Sequence, residues 1–376
     1  MTRAELFRTK GESYFIRGIP KGCKYCIKGQ KVVLFLNGIC QKPDHCSWYC
    51  PISEERKNKE ITYADEIQVK DSKDLLKEIN LVKAKGVSIT GGEPLAPNNI
   101  NQTLDYIIFL KKEMGSDFHI HLYTNGINFN EQLAQKLSLV GLDEIRFHPS
   151  KENWINIKYA LYKGMSVGAE VPVIPDKKNL KTLKEFIYFV DNLNCDFINL
   201  NEFEMCFPNS ESLKSKGFLL KEGTMASVKK SEESALKLIE NVAKKTKLNL
   251  HYCPIILKDH YQLKNRYKRR ARSIKAPYEV VNNAGLLIYA QIEGTAVSLR
   301  EFSDNVISKL NLPESLFSFK ESKINLPWYI PIHQKFVGEL KKYELECYII
   351  EGTPFRDKYF QITEKTPISL INIIKE

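Results

Sequence analysis

The sequence lacks any long hydrophobic segment. No apolar run among its 376 residues reaches the roughly 18–20 residues of a membrane-spanning helix, so we expect no association with a membrane. The first residues, Met1–Arg8, contain acidic and basic side chains but no apolar core of a signal peptide, which predicts a cytoplasmic protein that is not secreted. Internal repeats and low-complexity linkers are absent as well. With 43% hydrophobic and 27% charged residues, the chain should fold as one large globular domain, or as a domain of roughly 200 residues with a smaller appendage.

Cysteine is abundant, with nine residues. An odd number that clusters toward one end of an unsecreted chain does not favour a disulfide framework, whereas metal or iron–sulfur ligation explains the clustering. Three cysteines fall within the segment Cys40–Cys50, directly after the apolar run Val32–Gly38, which predicts a buried strand ending in a glycine turn. Three thiols on a loop at the end of a strand can bind an iron–sulfur cluster and leave one iron open to a cofactor or substrate. Cys195 and Cys347 lie in apolar contexts and are predicted to be packed thiols.

A second group of cysteines begins with the Cys-x-x-Cys pair Cys23 and Cys26, predicted on a turn rich in glycine and proline. Such pairs often bind zinc or an iron–sulfur cluster, and the alternatives are a redox pair or two unrelated thiols. No second Cys-x-x-Cys follows, so the remaining ligands would come from Cys206 and Cys253. These four cysteines are therefore a candidate second metal site, for zinc or for a second cluster.

From residue 32 to about residue 201, short apolar runs alternate with amphipathic stretches. The predicted strands are Val32–Leu36, Gly86–Thr90, His119–Tyr123, Glu144–Phe147, Gly168–Val173 and Phe197–Asn201. The predicted helices between them are Ser72–Ala84, Asn99–Met114, Asn130–Val140, Trp154–Lys163 and Asn179–Leu193. Six strands that alternate with five helices predict parallel βαβ units joined by right-handed crossovers. Such a series forms an open or closed α/β barrel, whose functional groups lie at the carboxyl ends of the strands.

Polar residues follow these predicted strands at the expected positions. The second strand runs into Gly91–Pro94, where two glycines expose the backbone amides and the Glu93 carboxylate can hold an ammonium group. Glu202 and Glu204 alternate at the end of the sixth strand, and with Asn199 and Asn201 they form a polar strand end. The carboxylates of this group could bind substrate, act in acid–base chemistry or pair with lysines.

The regular alternation stops after residue 201, and we predict four segments. They are an N-terminal Cys-x-x-Cys segment (residues 1–31), a partial (β/α)6 barrel (32–205), an accessory segment (206–275) and a small α+β C-terminal domain (276–376). Helices are predicted over Ala226–Lys244 and near Pro331–Lys342. Later strands are predicted at Tyr278–Val281, Leu286–Ile292, Ala296–Arg300, Glu346–Glu351 and Lys358–Thr363. The predicted fold class is therefore α/β, with the small α+β domain appended.

The accessory segment contains a basic stretch, Lys258–Arg272, in which tyrosines lie among lysines and arginines. Basic helices with aromatic residues suit phosphate backbones and stacked bases, and the formal net charge of +11 points the same way. The alternative interpretation is a solvated helix face, which is the usual role of a charged run. RNA is therefore a candidate partner, while the oligomeric state is not predicted.

Taken together, the Cys40–Cys50 loop, the Gly91–Pro94 motif and the βα series resemble the radical S-adenosylmethionine (SAM) superfamily over roughly residues 32–205. Tyr49, the aromatic residue just before the third cysteine, also matches. The loop departs from the usual Cys-x3-Cys-x2-Cys spacing of that superfamily, since it reads Cys-x5-Cys-x3-Cys and implies a reshaped loop. Further segments resemble a largely archaeal group related to pyruvate formate-lyase activating enzymes: Gly22–Lys31, Pro51–Ser53, His119–Gly126, Leu142–Pro149 and Asn199–Glu202.

The resemblance implies that a 4Fe–4S cluster, reduced by a one-electron donor, cleaves SAM to methionine and a 5′-deoxyadenosyl radical that abstracts hydrogen from a substrate. The implied cluster ligands, and thus the catalytic residues, are Cys40, Cys46 and Cys50. The implied SAM-binding residues are Tyr49, Gly91, Gly92, Glu93, Tyr123, Thr124, Asn125, Arg146 and His148. Among these, Gly91–Glu93 would hold the methionine amino group, while Arg146 and His148 would hold the SAM carboxylate or the substrate.

Three functions are compatible with these features. The first is a radical SAM enzyme that acts on RNA or a nucleotide, which the net charge and Lys258–Arg272 favour. The second keeps this chemistry and gives it a protein or peptide substrate, as activating enzymes have. The third is a non-catalytic zinc or iron–sulfur module that binds nucleic acid, and it predicts that no deoxyadenosine is formed from SAM.

Overall fold

A parallel β-sheet dominates the first of two units into which the chain divides, Met1–Leu263 and Lys264–Glu376. The structure is a computed structural model, and it describes residues 5–9, 11–320 and 322–372. The two units do not coincide with the four segments predicted at 1–31, 32–205, 206–275 and 276–376. Those segments remain a proposal about domain organisation.

Among the described residues, the sheet of the first unit has eleven strands. They are β1 (Phe7–Arg8), β2 (Tyr14–Ile16), β3 (Lys31–Phe35), β4 (Thr62–Ala64), β5 (Ile67–Val69), β6 (Gly86–Thr90), β7 (His119–Thr124), β8 (Glu144–Phe147), β9 (Ser166–Val173), β10 (Phe197–Glu202) and β11 (Asn249–Cys253). The order is β1-β2-β11-β10-β9-β8-β7-β6-β3-β4-β5. Within it, every neighbouring pair in the run β11-β10-β9-β8-β7-β6-β3 is parallel. The predicted α/β fold class is thus confirmed, and the six predicted strands are β3 and β6 to β10. A seventh parallel strand, β11, lies in the part that was predicted to be accessory.

Helices and turns connect these strands. The helices are α1 (Lys21–Ile27), α2 (Ser72–Val82), α3 (Ile100–Met114), α4 (Glu131–Leu139), α5 (Lys177–Asn192), α6 (Ser210–Ser215), α7 (Ser231–Ala243) and α8 (Ile255–Leu257), with 3-10 turns at Ser47–Tyr49 and Lys151–Ala160 and a π-helix at Lys258–Leu263. Side chains cap several helix starts; Asp176, for example, accepts from the Asn179 backbone N–H at 2.9 Å.

Two predictions about these connections need correction. Residues 154–160 of the segment predicted at Trp154–Lys163 belong to the 3-10 turn and residues 161–163 lie beyond its end, so the segment is not an α-helix; its buried residues Trp154, Ile157 and Ala160 recur every three residues, which is the period of a 3-10 helix. Cys23 and Cys26 lie in α1 rather than on a turn. This helix begins directly after Pro20, a residue type common at helix starts.

The two faces of the parallel strands differ in polarity. One face packs apolar residues such as Ile120, Leu122 and Ile145 into a core with the surrounding helices. Because side chains alternate along a strand, the intervening residues project to the opposite face. On β7 and β8 those residues are His119, His121, Glu144 and Arg146, all buried. The inner face of this sheet is therefore polar, which is unusual for a packed core and points to a functional interior.

The second unit is an antiparallel sheet with helices. Its strands are β12 (Val280–Val281), β13 (Leu287–Glu293), β14 (Ser318–Lys320), β15 (Lys323–Leu326), β16 (Glu346–Gly352) and β17 (Ile362–Pro367), in the order β14-β15-β13-β16-β17 with β12 paired to β13. Its helices are α9 (Lys264–Ile274), α10 (Ala296–Asn305) and α11 (Gln334–Lys342), and its 3-10 turns are Ile307–Leu310, Glu314–Leu316, Asp357–Tyr359 and Ile368–Leu370. The strand predicted at Ala296–Arg300 was wrong. Thr295 caps a helix there by accepting from Ser298 N, and Leu299 and Phe302 are buried three residues apart on one face.

None of the helices that the structure describes combines the length and the hydrophobicity that a bilayer crossing requires. The basic stretch Lys258–Arg272 does not form one α-helix. Its first residues form the π-helix Lys258–Leu263 of the first unit, and the rest belongs to α9 of the second unit.

Candidate active site

The carboxyl ends of the parallel strands surround a cavity of about 360 Å³. The three-cysteine loop, Cys40–Cys50, follows β3 and closes one side of this cavity. The lining includes the following residues from the sequence prediction: Cys40, Cys46, Tyr49, Cys50, Gly91, Gly92, Glu93, Tyr123, Thr124, Asn125 and His148. The fold therefore brings together residues from four separate strand ends, as expected for a parallel α/β sheet.

Gly91 and Gly92 allow two backbone segments to approach closely. A Cβ atom on Gly92 would lie 2.2 Å from the Ile39 carbonyl oxygen, and one on Gly91 would lie 2.5 Å from the Asn37 carbonyl oxygen. The Gly92 and Glu93 N–H groups donate to the Asn37 and Ile39 carbonyls at 2.7 and 2.9 Å. These amides are therefore not open to a ligand, which corrects the sequence-based expectation. The glycines instead join the Gly91–Pro94 motif to the start of the three-cysteine loop.

Glu93 connects this motif to the end of β7. Its Oε1 accepts from Thr124 Oγ1 at 2.7 Å and from Leu95 N at 3.0 Å, and its Oε2 accepts from Asn125 N at 2.6 Å. Burial raises the pKa of this carboxyl to about 7, although the three hydrogen bonds oppose the shift. Because a carboxylate can accept about four hydrogen bonds, one site on Oε2 is left for a ligand such as an ammonium group.

Tyr49 and His148 join the three-cysteine loop to β8. Tyr49 Oη and His148 Nε2 form a hydrogen bond of 2.9 Å, and the Tyr49 carbonyl accepts from Asn209 Nδ2 at 2.9 Å. Burial, reinforced by His45, lowers the pKa of His148 to about 3, and burial also raises the pKa of Tyr49. Both side chains are therefore neutral near neutral pH. The pair is a fixed polar contact between the loop and the sheet.

The three loop thiols fit an iron–sulfur cluster in their chemistry and position. All three line the cavity. Burial and the charges of Cys40 and Cys50 raise the pKa of Cys46 to about 12, and a bound cation would stabilise each of these sulfur atoms as a thiolate. Across the described parts of the chain, no three His, Cys, Asp or Glu side chains are already arranged to hold a metal ion. Cys40, Cys46 and Cys50 are therefore not yet in the geometry of cluster ligands. The loop would have to close around the cluster when it binds.

Arg146 does not line the cavity, so the sequence-based role as a direct ligand of SAM needs revision. The guanidinium is buried and pairs with Glu144 and Glu170; its Nη1 donates to Glu170 Oε2 at 2.6 Å and to Tyr123 Oη at 3.1 Å. Burial alone would raise the pKa of Glu144, but Arg146 and His119 lower it to about 2. Arg146 therefore supports the cavity wall from inside the sheet.

The cysteines of the predicted second metal site do not line the cavity. Burial raises the pKa of the Cys23 thiol; the Arg146 charge lowers it, and Glu170 and Cys26 raise it further. Cys23 Sγ also accepts a hydrogen bond from Asn199 Nδ2 at 3.2 Å. The pKa of Cys253 is raised to about 12, mainly by burial, and Cys26 is one of the neighbours that contribute to the rise. Cys206 instead neighbours Glu204 and Cys50. Among the described residues no three His, Cys, Asp or Glu side chains are arranged to hold a metal ion, so metal binding by Cys23, Cys26, Cys206 and Cys253 stays a prediction.

Sequence reasoning missed several residues of the cavity wall, among them Glu170 and Lys258. Glu170 was hidden within the apolar strand β9, where a lone carboxylate among Gly168–Val173 is a signal that could have been used. Lys258 was noted only as the start of a basic helix. Its Nζ lies 4.0 Å from Glu204 Oε2 at the side of the cavity.

The hypothesis of an RNA partner finds no support in this part of the molecule. Within the second unit, Arg270 is 6% exposed, its Nη1 donates to the Pro354 carbonyl, and its guanidinium lies 4.2 Å from the Phe355 ring centre. Lys258 faces the cavity of the first unit. The basic stretch is therefore not a single exposed basic face, as binding to a phosphate backbone would require.

Comparisons with known proteins agree with this geometry. The sequence profile of the radical SAM superfamily matches residues 13–150. A protein of Methanocaldococcus jannaschii is 39% identical over 282 residues, which are 72% of this chain and 72% of that protein; its name describes it, provisionally, as a glycyl-radical enzyme activating enzyme. The chain belongs to the radical SAM superfamily. Within that superfamily it is similar to the group of activating enzymes that the sequence indicated, and it is a radical SAM enzyme that uses a 4Fe–4S cluster and SAM.

Solved structures show more distant similarity. Streptococcus suis SuiB bound to SAM is 14% identical, with a TM-score of 0.41, and the match covers 62% of this chain and 52% of SuiB. Kitasatospora setae TsrM, a radical SAM methyltransferase with tryptophan and a SAM analogue bound, is 12% identical, with a TM-score of 0.36, and the match covers 53% of this chain and 42% of TsrM. The chain thus spans about half the length of these solved structures.

Proposed function

We propose that the protein uses radical SAM chemistry on a polypeptide, as an activating or modifying enzyme, rather than on RNA or a nucleotide. The name of the Methanocaldococcus jannaschii relative supports this substrate class, since it describes an enzyme that activates another enzyme. The structural observation that carries the proposal is the charge of the cavity.

Carboxylates outnumber amines around this cavity. The acidic lining residues are Asp44, Glu93, Glu170, Glu202 and Glu204, and the basic ones are Lys57 and Lys258. An excess of negative charge in a confined site repels phosphate groups, so it disfavours a nucleotide substrate. The main chain of a polypeptide is uncharged, and it can enter such a cavity without that cost. This supports a peptide segment as the group that reaches the site.

Each part of the site has a defined task in this proposal. When bound, the cluster and SAM supply the electron transfer and the hydrogen abstraction that characterise the superfamily. Cys40, Cys46 and Cys50 would hold the cluster. Glu93 keeps the end of β7 in place through Thr124 and Asn125 and would accept a hydrogen bond from the SAM amino group. The Tyr49–His148 contact would hold the loop in register with the sheet.

A one-electron donor and a second metal are further parts of the proposal. The donor would reduce the cluster before each reaction. The second metal, zinc or another cluster, would use Cys23, Cys26 and Cys253, whose sulfur atoms suit either. Support comes from Cys26, which is among the neighbours that raise the pKa of both Cys23 and Cys253. Iron and zinc counts in a Cys23→Ser/Cys26→Ser variant test this site, and counts equal to those of the wild type would argue against it.

The substrate class can be tested by deuterium transfer. We would incubate the reconstituted, dithionite-reduced protein and SAM with a macromolecular extract of the source organism grown in deuterated medium. The hydrogen abstracted from the substrate enters 5′-deoxyadenosine, so deuterium in that product reports an abstraction. We expect protease treatment of the extract to abolish the transfer and ribonuclease treatment to leave it unchanged. The opposite pattern would show an RNA substrate and reject the proposal.

A further inference from the structure

The second and third cysteines of the three-cysteine loop lie at the two ends of one 3-10 turn. Ser47–Tyr49 form the turn, with Cys46 at its N-cap and Cys50 at its C-cap. The Tyr49 N–H donates to the Cys46 carbonyl at 3.1 Å and closes it. The three residues between these cysteines, one more than the superfamily usually has, therefore make a single 3-10 turn. The turn sets how Cys46 and Cys50 lie relative to each other, but not how the pair is oriented against the sheet.

The side chain of Asn209 holds the end of this turn from outside the loop. Asn209 is 3% exposed and directly precedes α6. Its Nδ2 donates to the Tyr49 carbonyl at 2.9 Å and to the Glu204 carbonyl at 3.0 Å, and its Oδ1 accepts from the Cys206 N–H at 2.8 Å. The carbonyls can only accept and the N–H can only donate, so these contacts fix the orientation of the amide. Both of its N–H donors are used.

The Tyr49 carbonyl belongs to the peptide unit that leads into Cys50. Because a peptide unit is planar, a hydrogen bond to its oxygen restricts the plane that contains the Cys50 nitrogen and Cα. Carbonyls at the end of a helical turn have no partner inside the turn, and Asn209 supplies one. Asn209 therefore acts on the backbone of the third cysteine.

Apolar packing holds the same turn from the same side. Trp48 and Tyr49 pack against a cluster of buried residues that includes Phe203 and Leu213. The Trp48 and Phe203 ring centres are 6.1 Å apart. Burial of apolar surface is not directional, whereas hydrogen bonds are. The packing keeps the turn against the segment after β10, and the Asn209 amide determines its orientation there.

The other end of the loop lacks an anchor of this kind. Cys40 is exposed. Within the part of the chain that the structure describes, residues 40–43 make no backbone-to-backbone hydrogen bond. The loop can therefore close around a cluster by movement at Cys40, while the contacts of Asn209 with the turn stay in place.

We propose that Asn209 is a positioning residue for the radical SAM chemistry, because it orients the third cluster ligand, Cys50. Asn209 does not line the cavity, so it acts through the loop and not by contact with SAM. The proposal rests on one part of the proposed function, the assignment of Cys40, Cys46 and Cys50 to the cluster. It does not depend on the substrate class.

The test compares Asn209→Asp and Asn209→Leu in the full-length, anaerobically reconstituted protein. The first variant keeps the size of the side chain and the acceptor for the Cys206 N–H but loses both N–H donors, and the second loses all three hydrogen bonds. Both should change the g-values of the reduced cluster in electron paramagnetic resonance, because the Cys50 thiolate is displaced. Both should also lose cluster iron to a chelator about tenfold faster, at the lower end of the effect of residues that orient a metal ligand.

Asn325→Asp and Asn325→Leu are the matched controls. Asn325 is a buried asparagine of the second unit, 6% exposed, and its Oδ1 accepts from Gln291 Nε2 at 3.0 Å. Asn325→Leu should lose stability in urea, and both controls should keep the g-values and the iron loss of the wild type. A folded Asn209→Asp variant with wild-type g-values and iron loss would overturn the proposal even if its stability fell, since a merely structural residue gives that result. If Asn209→Leu does not fold, the isosteric Asn209→Asp variant decides.

A failure of this proposal can be told apart from a failure of the ligand assignment. Cys50→Ser with a full cluster would reject the assignment itself. Loss of the cluster in Cys50→Ser, together with wild-type cluster properties in Asn209→Asp, would reject only the role of Asn209. The deuterium-transfer experiment tests the substrate class separately, and neither of its outcomes depends on Asn209.

Discussion

Gly92 and Ile39 are in such close contact that the site tolerates no side chain between them. A Cβ atom on Gly92 would lie 2.2 Å from the Ile39 carbonyl oxygen and 2.9 Å from the Cys40 backbone nitrogen. Both are backbone atoms, so they cannot rotate away as a flexible side chain would. The cavity therefore depends on a contact between the loop after β6 and the loop after β3.

The first prediction concerns this contact. Gly92→Ala should destabilise the first unit by about 3 kcal/mol, at the upper end of the range for overpacking, and should lower the iron content after reconstitution because the three-cysteine loop is displaced. Gly164→Ala is the control: it has φ of +81° but no atom within 4 Å of its Cβ, so it carries backbone strain of about 1–2 kcal/mol without a clash. Urea unfolding and iron analysis measure both effects. Full iron content in Gly92→Ala would contradict the role assigned to the glycine.

The second prediction concerns the cluster ligands. Replacing Cys40, Cys46 or Cys50 by Ser should each remove the electron paramagnetic resonance signal of the SAM-binding 4Fe–4S cluster and abolish the formation of 5′-deoxyadenosine, since these three thiolates are the only protein ligands expected for that cluster. Cys195→Ser and Cys347→Ser are matched controls, because these thiols are buried at 8% and 4% exposure and neither lines the cavity. The controls should lose stability but keep the cluster. If a loop variant retained a full cluster, another ligand would have to be sought, and the first candidate would be Cys206, whose pKa is raised by burial, by Glu204 and also by Cys50.

The third prediction concerns the Tyr49–His148 hydrogen bond. Tyr49→Phe leaves His148 Nε2 without its partner and should cost about 1–3 kcal/mol, since the histidine is neutral and largely enclosed. A double-mutant cycle with His148→Leu should give a coupling energy of about 1 kcal/mol in the cluster-free protein. In the loaded enzyme, Tyr49→Phe should raise KM for SAM more than it lowers kcat, because the loop is displaced while the reacting groups remain. Additive single effects would show that the two side chains do not act together.

The strands of the barrel were predictable because their signal is local. β6 and β8 were predicted at the residues observed, since β6 is a short, mostly apolar run between glycines and β8 alternates charged and apolar residues. β11 was missed because Asn249–Cys253 alternates polar and apolar residues over only five positions. Its parallel pairing with β10, some fifty residues earlier, is a long-range contact that no local pattern reveals. The helix α7 before it completes a βαβ unit and is the signal that could have indicated it.

Some site residues were likewise predictable from a local pattern, and others were not. Cys40–Cys50 and Gly91–Glu93 were predictable because they are contiguous motifs at strand ends. The roles of Arg146 and Glu170 were not, because an ion pair between neighbouring strands depends on the register of β8 against β9, which places Arg146 opposite Gly168. With only glycine at that position, the long guanidinium can reach Glu170 two residues further along. The spacing of these residues in the sequence does not indicate this contact.

The last prediction concerns His251 and pH. This residue is 0% exposed, and burial lowers its pKa to about 4. Its Nδ1 must donate to Asn199 Oδ1 at 3.1 Å, because Asn199 Nδ2 already donates to Glu170 and Cys23. Nε2 therefore carries the lone pair that would take a proton. In the unfolded chain a histidine has a pKa of about 6.5.

The sign of the effect follows from these two values. Above about pH 6.5, His251 is neutral in both states and its contribution to stability is fully present. Between pH 6.5 and 4 the unfolded chain binds the proton and the folded chain does not, so the free energy of unfolding falls by about 1.4 kcal/mol per pH unit from this group. His251→Asn keeps a donor to Asn199 but cannot titrate, and its stability should fall less steeply in this window. Urea unfolding of the cluster-free protein from pH 8 to 4 measures both curves; parallel curves would show that His251 is protonated in the folded state as readily as in the unfolded one.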